Sequence, residues 1–177
     1  MERNPFYSLD AEEAVIGSIL LEGELIKDCS LQPEHFYSTK LRFIYTLMLR
    51  LVEKEKPIDM VSVVDEAGPE DWLTFGGGSY LCAISGSVPT TANFHYYEEI
   101  VKKYYQKRKT IEIAHSMKKK SVHGDVETIL REGIHQLQQV EDHLAAEDLG
   151  EIDETLKDVY FDCEKDMGDI NGIPSGF

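Results

Sequence analysis

Two stretches, Glu112-Ile113-Ala114-His115 and Glu132-Gly133-Ile134-His135, each set a carboxylate and an imidazole three residues apart. On a helix that spacing places both groups on one face. Two facing helices that each carry the pattern can hold a pair of transition-metal ions among carboxylates. Such a site also needs a glutamate from each of two further helices, and no candidates stand out. Glu132 also lies two residues from Leu130, about 200° around a helix from its apolar seam. Surface and edge-of-seam roles are therefore expected for these residues, and a di-metal carboxylate protein is the alternative they would support. Phosphate chemistry has no cradle here. No GxxxxGK followed by Ser or Thr occurs, and Gly76-Gly77-Gly78 reads as a turn. Neither GxSxG nor HExxH is present. No catalytic, cofactor-binding or metal-binding side chain is expected. Cys29, Cys82 and Cys163 are widely spaced and form no CxxC pair, which excludes a disulfide framework and fits a reducing cytoplasm.

The other chemically suggestive stretch is Lys102-Lys103-Tyr104-Tyr105-Gln106-Lys107-Arg108-Lys109, followed by Lys118-Lys119-Lys120. Interleaved cations and aromatics can grip single-stranded nucleic acid by phosphate pairing and base stacking. They can equally be tyrosines in helix interfaces with solvated lysines between them, and the charge favours that reading. The 177 residues hold 33 acidic against 18 basic side chains, a net charge of -15. Such a chain repels phosphate backbones. The charge is uneven: residues 1–93 hold 7 basic and 15 acidic side chains, residues 94–124 hold 8 and 3, and residues 125–177 hold 3 and 15. A basic helix inside an acidic chain can meet acidic protein surfaces.

The elements that must carry these residues are helical, and an all-α fold is expected. Ser8 caps a first helix with the stripe Val15, Ile16, Ile19 and Leu20, and a short turn of helix follows at Leu25 and Ile26. Ser38 caps a second long helix with Leu41, Ile44, Tyr45, Met48, Leu49 and Val52 on one face, ended by Pro57. Asp59 caps a helix through Val61, Val64 and Ala67 that Gly68-Pro69 breaks. After the glycine triplet comes a short helix from Tyr80 to Ser85. A helix from about Phe94 to Lys120, with Tyr97, Ile100, Val101, Tyr104, Ile111 and His115 as its stripe, turns at His123-Gly124-Asp125. The next helix carries Val126, Leu130, Gly133, Leu137, Val140 and Leu144, a seam of coiled-coil spacing. Two long helices joined by a tight turn make an antiparallel hairpin. Ile152, Leu156, Val159, Tyr160 and Cys163 mark one more amphipathic helix. The expected organisation is a globular helical subdomain over 1–92, a helical hairpin over 93–146, and a linker helix with a boundary stretch over 147–177. No run is apolar enough to span a membrane.

Several short motifs then resemble a known family in order and spacing. They are Ser8-Leu9-Asp10-Ala11-Glu12 with Ala14-Val15, His35-Phe36-Tyr37, Arg42-Phe43-Ile44-Tyr45, Pro57-Ile58-Asp59, Gly76-Gly77 with Tyr80-Leu81, and Pro89-Thr90-Thr91-Ala92-Asn93 with Tyr97 and Ile100-Val101. Together they resemble the N-terminal domain of DnaB-type replicative DNA helicases, over essentially the whole chain. Gly172-Ile173-Pro174-Ser175-Gly176-Phe177 is similar to the stretch that opens the RecA-like motor of that family. The resemblance implies a hexameric ring that uses ATP and magnesium to move 5′ to 3′ on single-stranded DNA. It also implies that the N-terminal domains form a collar in which hairpins pair between subunits, and that the collar receives primase and responds to a loader protein. On that footing Tyr97, Ile100, Val101, Tyr104 and Leu137 are expected at subunit interfaces, and Ile152, Leu156, Val159 and Tyr160 on a linker helix docked on the neighbouring motor. Lys118, Lys119 and Lys120 at the hairpin tip are a geometric candidate for a partner site. The motor with its P-loop is absent, so this chain is expected neither to hydrolyse ATP nor to unwind DNA, and to bind little single-stranded DNA by itself. A phage-encoded member acting in a host cytoplasm fits the divergence of the motifs. The competing reading is an independent helical protein that regulates a helicase or primase.

Overall fold

The computed structural model describes residues 6–140. Among them every regular element is helical. The linker-helix stripe Ile152, Leu156, Val159 and Tyr160 lies outside the described residues, as does Leu144. Helix α1 spans Leu9–Leu21, α2 Leu25–Asp28, α3 Thr39–Glu53, α4 Met60–Phe75, α5 Gly77–Ser87 and α6 Phe94–Lys120. A further helix, α7, runs over 126–140. Short 3₁₀ turns at Pro33–His35 and Thr91–Asn93 complete the connections. The expected caps are in place. The Ser8, Ser38 and Asp59 side chains accept from the backbone N–H of Ala11, Leu41 and Ser62. The Asp125 carboxylate accepts from Thr128 N–H at 2.9 Å. Each satisfies an N–H that a helix start would otherwise leave unpaired.

The chain divides into two compact units, Met1–Ile111 and Glu112–Phe177. The first therefore takes in the N-terminal part of α6 and reaches past the expected boundary at 92/93. Its core is built on Val15, Ile16, Ile19, Leu41, Ile44, Tyr45, Leu47, Met48 and Leu51, all without solvent exposure. α1 packs on α3 and α5, and α4 packs on α3 and α5.

The stripes of α3, α4 and α6 differ from expectation. α3 is covered by α1, α4 and the first 3₁₀ turn. Its buried face is consequently wider than one stripe, taking in Leu47 and Leu51 and leaving Val52 exposed. α3 also stops at Glu53, before Pro57, because Glu55 adopts φ 53°. In α4, Val63 and Ala67 are buried while Val61 is exposed. Gly68 does break that helix, with φ 70° and ψ 169°, but helical backbone resumes and continues to Phe75. Only glycine takes up that backbone conformation readily. On α6, Phe94 and Val101 are buried, Ile113 replaces Ile111 on the buried face, and His115 is exposed.

The second unit holds the C-terminal part of α6 and α7 as an antiparallel pair. Met117 lies against Gly133, and Lys120 Nζ pairs with Glu132 at 2.5 Å. A Cβ on Gly133 would stand 2.5 Å from the Met117 sulfur, so a hydrogen there is what lets the helices approach. Of the expected α7 seam, Gly133 is buried and Val140 half-buried, whereas Val126, Leu130 and Leu137 are exposed and Ile129 is buried in their stead.

Candidate functional site

In the second unit α7 leaves an apolar row in solvent. Val126 is 66%, Leu130 50%, Ile134 55% and Leu137 40% exposed. They recur at spacings of four, four and three along α7, which places them on one helix face. Polar residues flank the row, with Glu127 and Arg131 joined at 2.9 Å. The hairpin tip carries Lys118, Lys119 and Lys120, all exposed. The paired Glu–His stretches do not converge: Glu132 is engaged by Lys120, and His135 lies against Gln139 at 3.4 Å. Among the described residues no group of three or more His, Cys, Asp or Glu could hold a metal ion.

In the first unit the basic–aromatic run is largely spent on the chain itself. Val101 is buried, and Tyr97 and Ile100 pack half-buried beside it against the core. Tyr104 is half-buried, with the Lys107 ammonium 5.0 Å from its ring centre. Lys102 reaches Glu98 at 3.4 Å. Arg108 donates from Nη2 to the His35 carbonyl at 2.6 Å and from Nη1 to the Phe6 carbonyl at 3.1 Å. Its guanidinium also lies over the rings of Tyr37 and Tyr105.

Two buried carboxylates, on residues that the charge pattern alone reads as surface acids, fix the connector between α2 and α3. Glu98 Oε1 accepts from the Ser30 N–H at 2.7 Å and hydroxyl at 2.5 Å, and its Oε2 faces His95 Nδ1 at 3.2 Å. Burial pushes this carboxyl up, but the Ser30 bonds, Lys102 and His95 outweigh it and hold it below its ordinary value. Glu12 accepts from Tyr37 N–H at 2.8 Å and Ser38 N–H at 3.0 Å. There burial prevails over those bonds and over Arg108 and Arg42, so the carboxyl lies above its ordinary value. Arg42 adds bonds to the Phe36 carbonyl, and the Tyr45 hydroxyl donates to the Leu31 carbonyl at 2.9 Å. Burial likewise raises the Cys29 thiol to about 11, which keeps it unreactive near neutral pH. The sequence does hold a signal for both acids. Glu12 falls in line with Val15, Ile16 and Ile19, and Glu98 in line with Phe94 and Val101, so each sits on an apolar stripe.

No helix among the described residues is long and apolar enough to cross a membrane. The family model for the DnaB-like helicase N terminal domain matches residues 4–103. The chain is 34% identical to the replicative DNA helicase DnaC of Bacillus subtilis (strain 168), over 99% of this chain and 40% of that protein. It thus spans about two-fifths of the length of the curated relatives it matches. Among solved structures, the N-terminal domain of DnaB helicase from Mycobacterium tuberculosis superposes with a TM-score of 0.70 at 28% identity, covering 77% of this chain and 99% of that one. A DnaB-like replicative helicase whose structure was described with its interactions with primase gives 0.66 at 37% identity, covering 96% of this chain and 38% of that one.

Proposed function

The chain belongs to the family of DnaB-like helicase N-terminal domains, and from that membership we propose that it forms the collar of a hexameric replicative helicase, joining subunits and receiving partner proteins. The observation that carries the reading is the solvent-facing row Val126, Leu130, Ile134 and Leu137 on α7. Large apolar side chains lined up on one exposed helix face are stabilised by burial, each contributing roughly 1.5–3 kcal/mol when fully covered. The same row on a second copy is the cover at hand, and a face that pairs with itself closes as a symmetric dimer. Three such dimers make the ring. Tyr104, half-buried on α6, and Leu137 are the expected interface residues that keep surface for a neighbour, whereas Val101 is already covered by its own unit.

Primase and a loader are the protein partners of this collar, and the primase described with one structural relative supports the first. The Lys118–Lys120 tip is the candidate contact. The linker stripe Ile152, Leu156, Val159 and Tyr160 docks on the next subunit's motor. ATP and magnesium act in that motor, which moves 5′ to 3′ on single-stranded DNA in the cytoplasm. The test is the mass of the chain in solution by light scattering. The wild type is expected above monomer mass, and Leu130→Glu with Ile134→Glu at monomer mass with unchanged helical content. An unaltered mass in that variant sinks the α7 pairing. Rescue of assembly by a separate helicase chain, with no self-association, favours an independent regulatory protein.

A further inference from the structure

We infer that the cleft between the α1–α2 turn and the loop joining α3 to α4 binds a small zwitterion with an apolar body, of the class of the apolar amino acids. The cleft encloses about 460 Å³, within the range of small-ligand sites. Ile26, Val52, Pro57 and Ile58 form its apolar lining. Ile26 belongs to the core, whereas Val52 keeps 40% of its surface in solvent. The walls are fixed in place. A Cβ on Gly23 would stand 2.7 Å from the Ile58 carbonyl oxygen, so the turn and the loop meet in backbone contact. Lys54 Nζ pairs with Glu66 at 2.5 Å and pins the start of the loop to α4.

Charges of both signs line the cleft beside these apolar groups. Glu24 and Lys27 pair with each other. Glu55 and Lys56 also line it, and neither has an ion-pair partner among the described residues. Lys56 is near Glu66, but Lys54 already holds that carboxylate. The Lys56 N–H donates to the Leu51 carbonyl and the Glu55 N–H to the Val52 carbonyl, each at 2.9 Å. These paired bonds close a helix on a residue in the left-handed conformation, usually glycine. Glu55 takes that place with φ 53°, the one described residue other than glycine with a positive φ. A glycine is unstrained there and a glutamate is not. Strain of this kind is kept where a site uses the residue. Here it sets a carboxylate beside an unpaired ammonium along an apolar cleft. A ligand amine answers Glu55, its carboxylate answers Lys56, and its apolar side chain covers Val52 and Ile58.

The proposal does not rest on the collar reading and is tested apart from it. The full chain is titrated with L-leucine and followed by saturation-transfer NMR. Isocaproate, which lacks the amine, isoamylamine, which lacks the carboxylate, and N-acetyl-leucinamide, which lacks both charges, are titrated in parallel. Leucine is expected to bind saturably, and each singly charged analogue about fivefold more weakly, the effect of losing one partly exposed ion pair. Glu55→Gly is expected to melt at a higher temperature, since the strain is relieved, and to bind leucine no better than isocaproate. Lys56→Gln is expected to bind leucine no better than isoamylamine, with its melting unchanged. Absence of saturable leucine binding overturns the proposal. So does equal binding of leucine and either analogue by the wild type, or leucine binding that is unchanged in either variant. N-acetyl-leucinamide bound as tightly as leucine also overturns it, and would assign the cleft to an apolar residue within a protein partner.

Discussion

Glu98 and Glu12 do the same structural work with opposite responses to acid. Each carboxylate ties the α2–α3 connector to a helix far away in sequence, Glu98 through Ser30 and Glu12 through Tyr37 and Ser38. Glu98 lies below the ordinary value of 4.5, so the unfolded chain binds the proton more readily than the folded one. Its contribution is complete above 4.5 and is lost as pH falls through the lower folded value. Glu12 lies above 4.5, so its charge works against folding as pH rises through its higher folded value. Glu98→Ala leaves the Ser30 N–H and hydroxyl without their acceptor and is expected to cost about 1–3 kcal/mol at neutral pH in urea unfolding. The gap between wild type and Glu98→Gln is expected to shrink on acidification below 4.5. A gap that widens there contradicts the assignment. Neither carboxylate is visible in the charge pattern, because their partners are backbone groups 25 to 68 residues away. Only their position on an apolar stripe betrays them.

At the scale of elements, what the sequence makes legible is what is decided locally. Ser8, Ser38, Asp59 and Asp125 mark helix starts because a short polar side chain can reach an N–H three residues on. α6 ends at Phe94 and Lys120, as its periodicity and the following turn require. Which face of a helix is covered is decided by neighbours: the expected α1 stripe Val15, Ile16, Ile19 and Leu20 is buried, whereas other stripes are buried only in part. α7 shows this most clearly. Its heptad spacing points to Leu130, Gly133 and Leu137, yet of these only Gly133, against Met117, is buried, and Ile129 is buried where the leucines are exposed. Gly133→Ala is expected to displace the Met117 side chain from this contact, at a net cost of at most about 1 kcal/mol because alanine also favours the helix. Trimming Met117→Ala in the same chain should recover most of that loss, since it removes the atoms the new methyl would strike. Hydrogen exchange along 113–137 reads out the pair locally, and additive losses in the double variant would refute a shared contact.

For the whole molecule, a net charge of -15 and an assembly of identical copies pull in opposite directions. Copies of one acidic chain repel each other at long range, and salt weakens that repulsion over about 10 Å at 0.1 M. The face proposed to pair, Val126, Leu130, Ile134 and Leu137, is apolar, and salt does not weaken such burial. An ion pair of the hairpin, Lys120 with Glu132, is internal to one copy. Self-association is therefore expected to strengthen as sodium chloride is raised from about 0.05 M to 0.5 M, the reverse of an interface held by salt bridges. Sedimentation velocity across that range checks it. Dissociation at high salt would show that opposite charges, such as the basic tip at Lys118–Lys120 against the acidic residues that follow 140, hold the copies together instead of the α7 row.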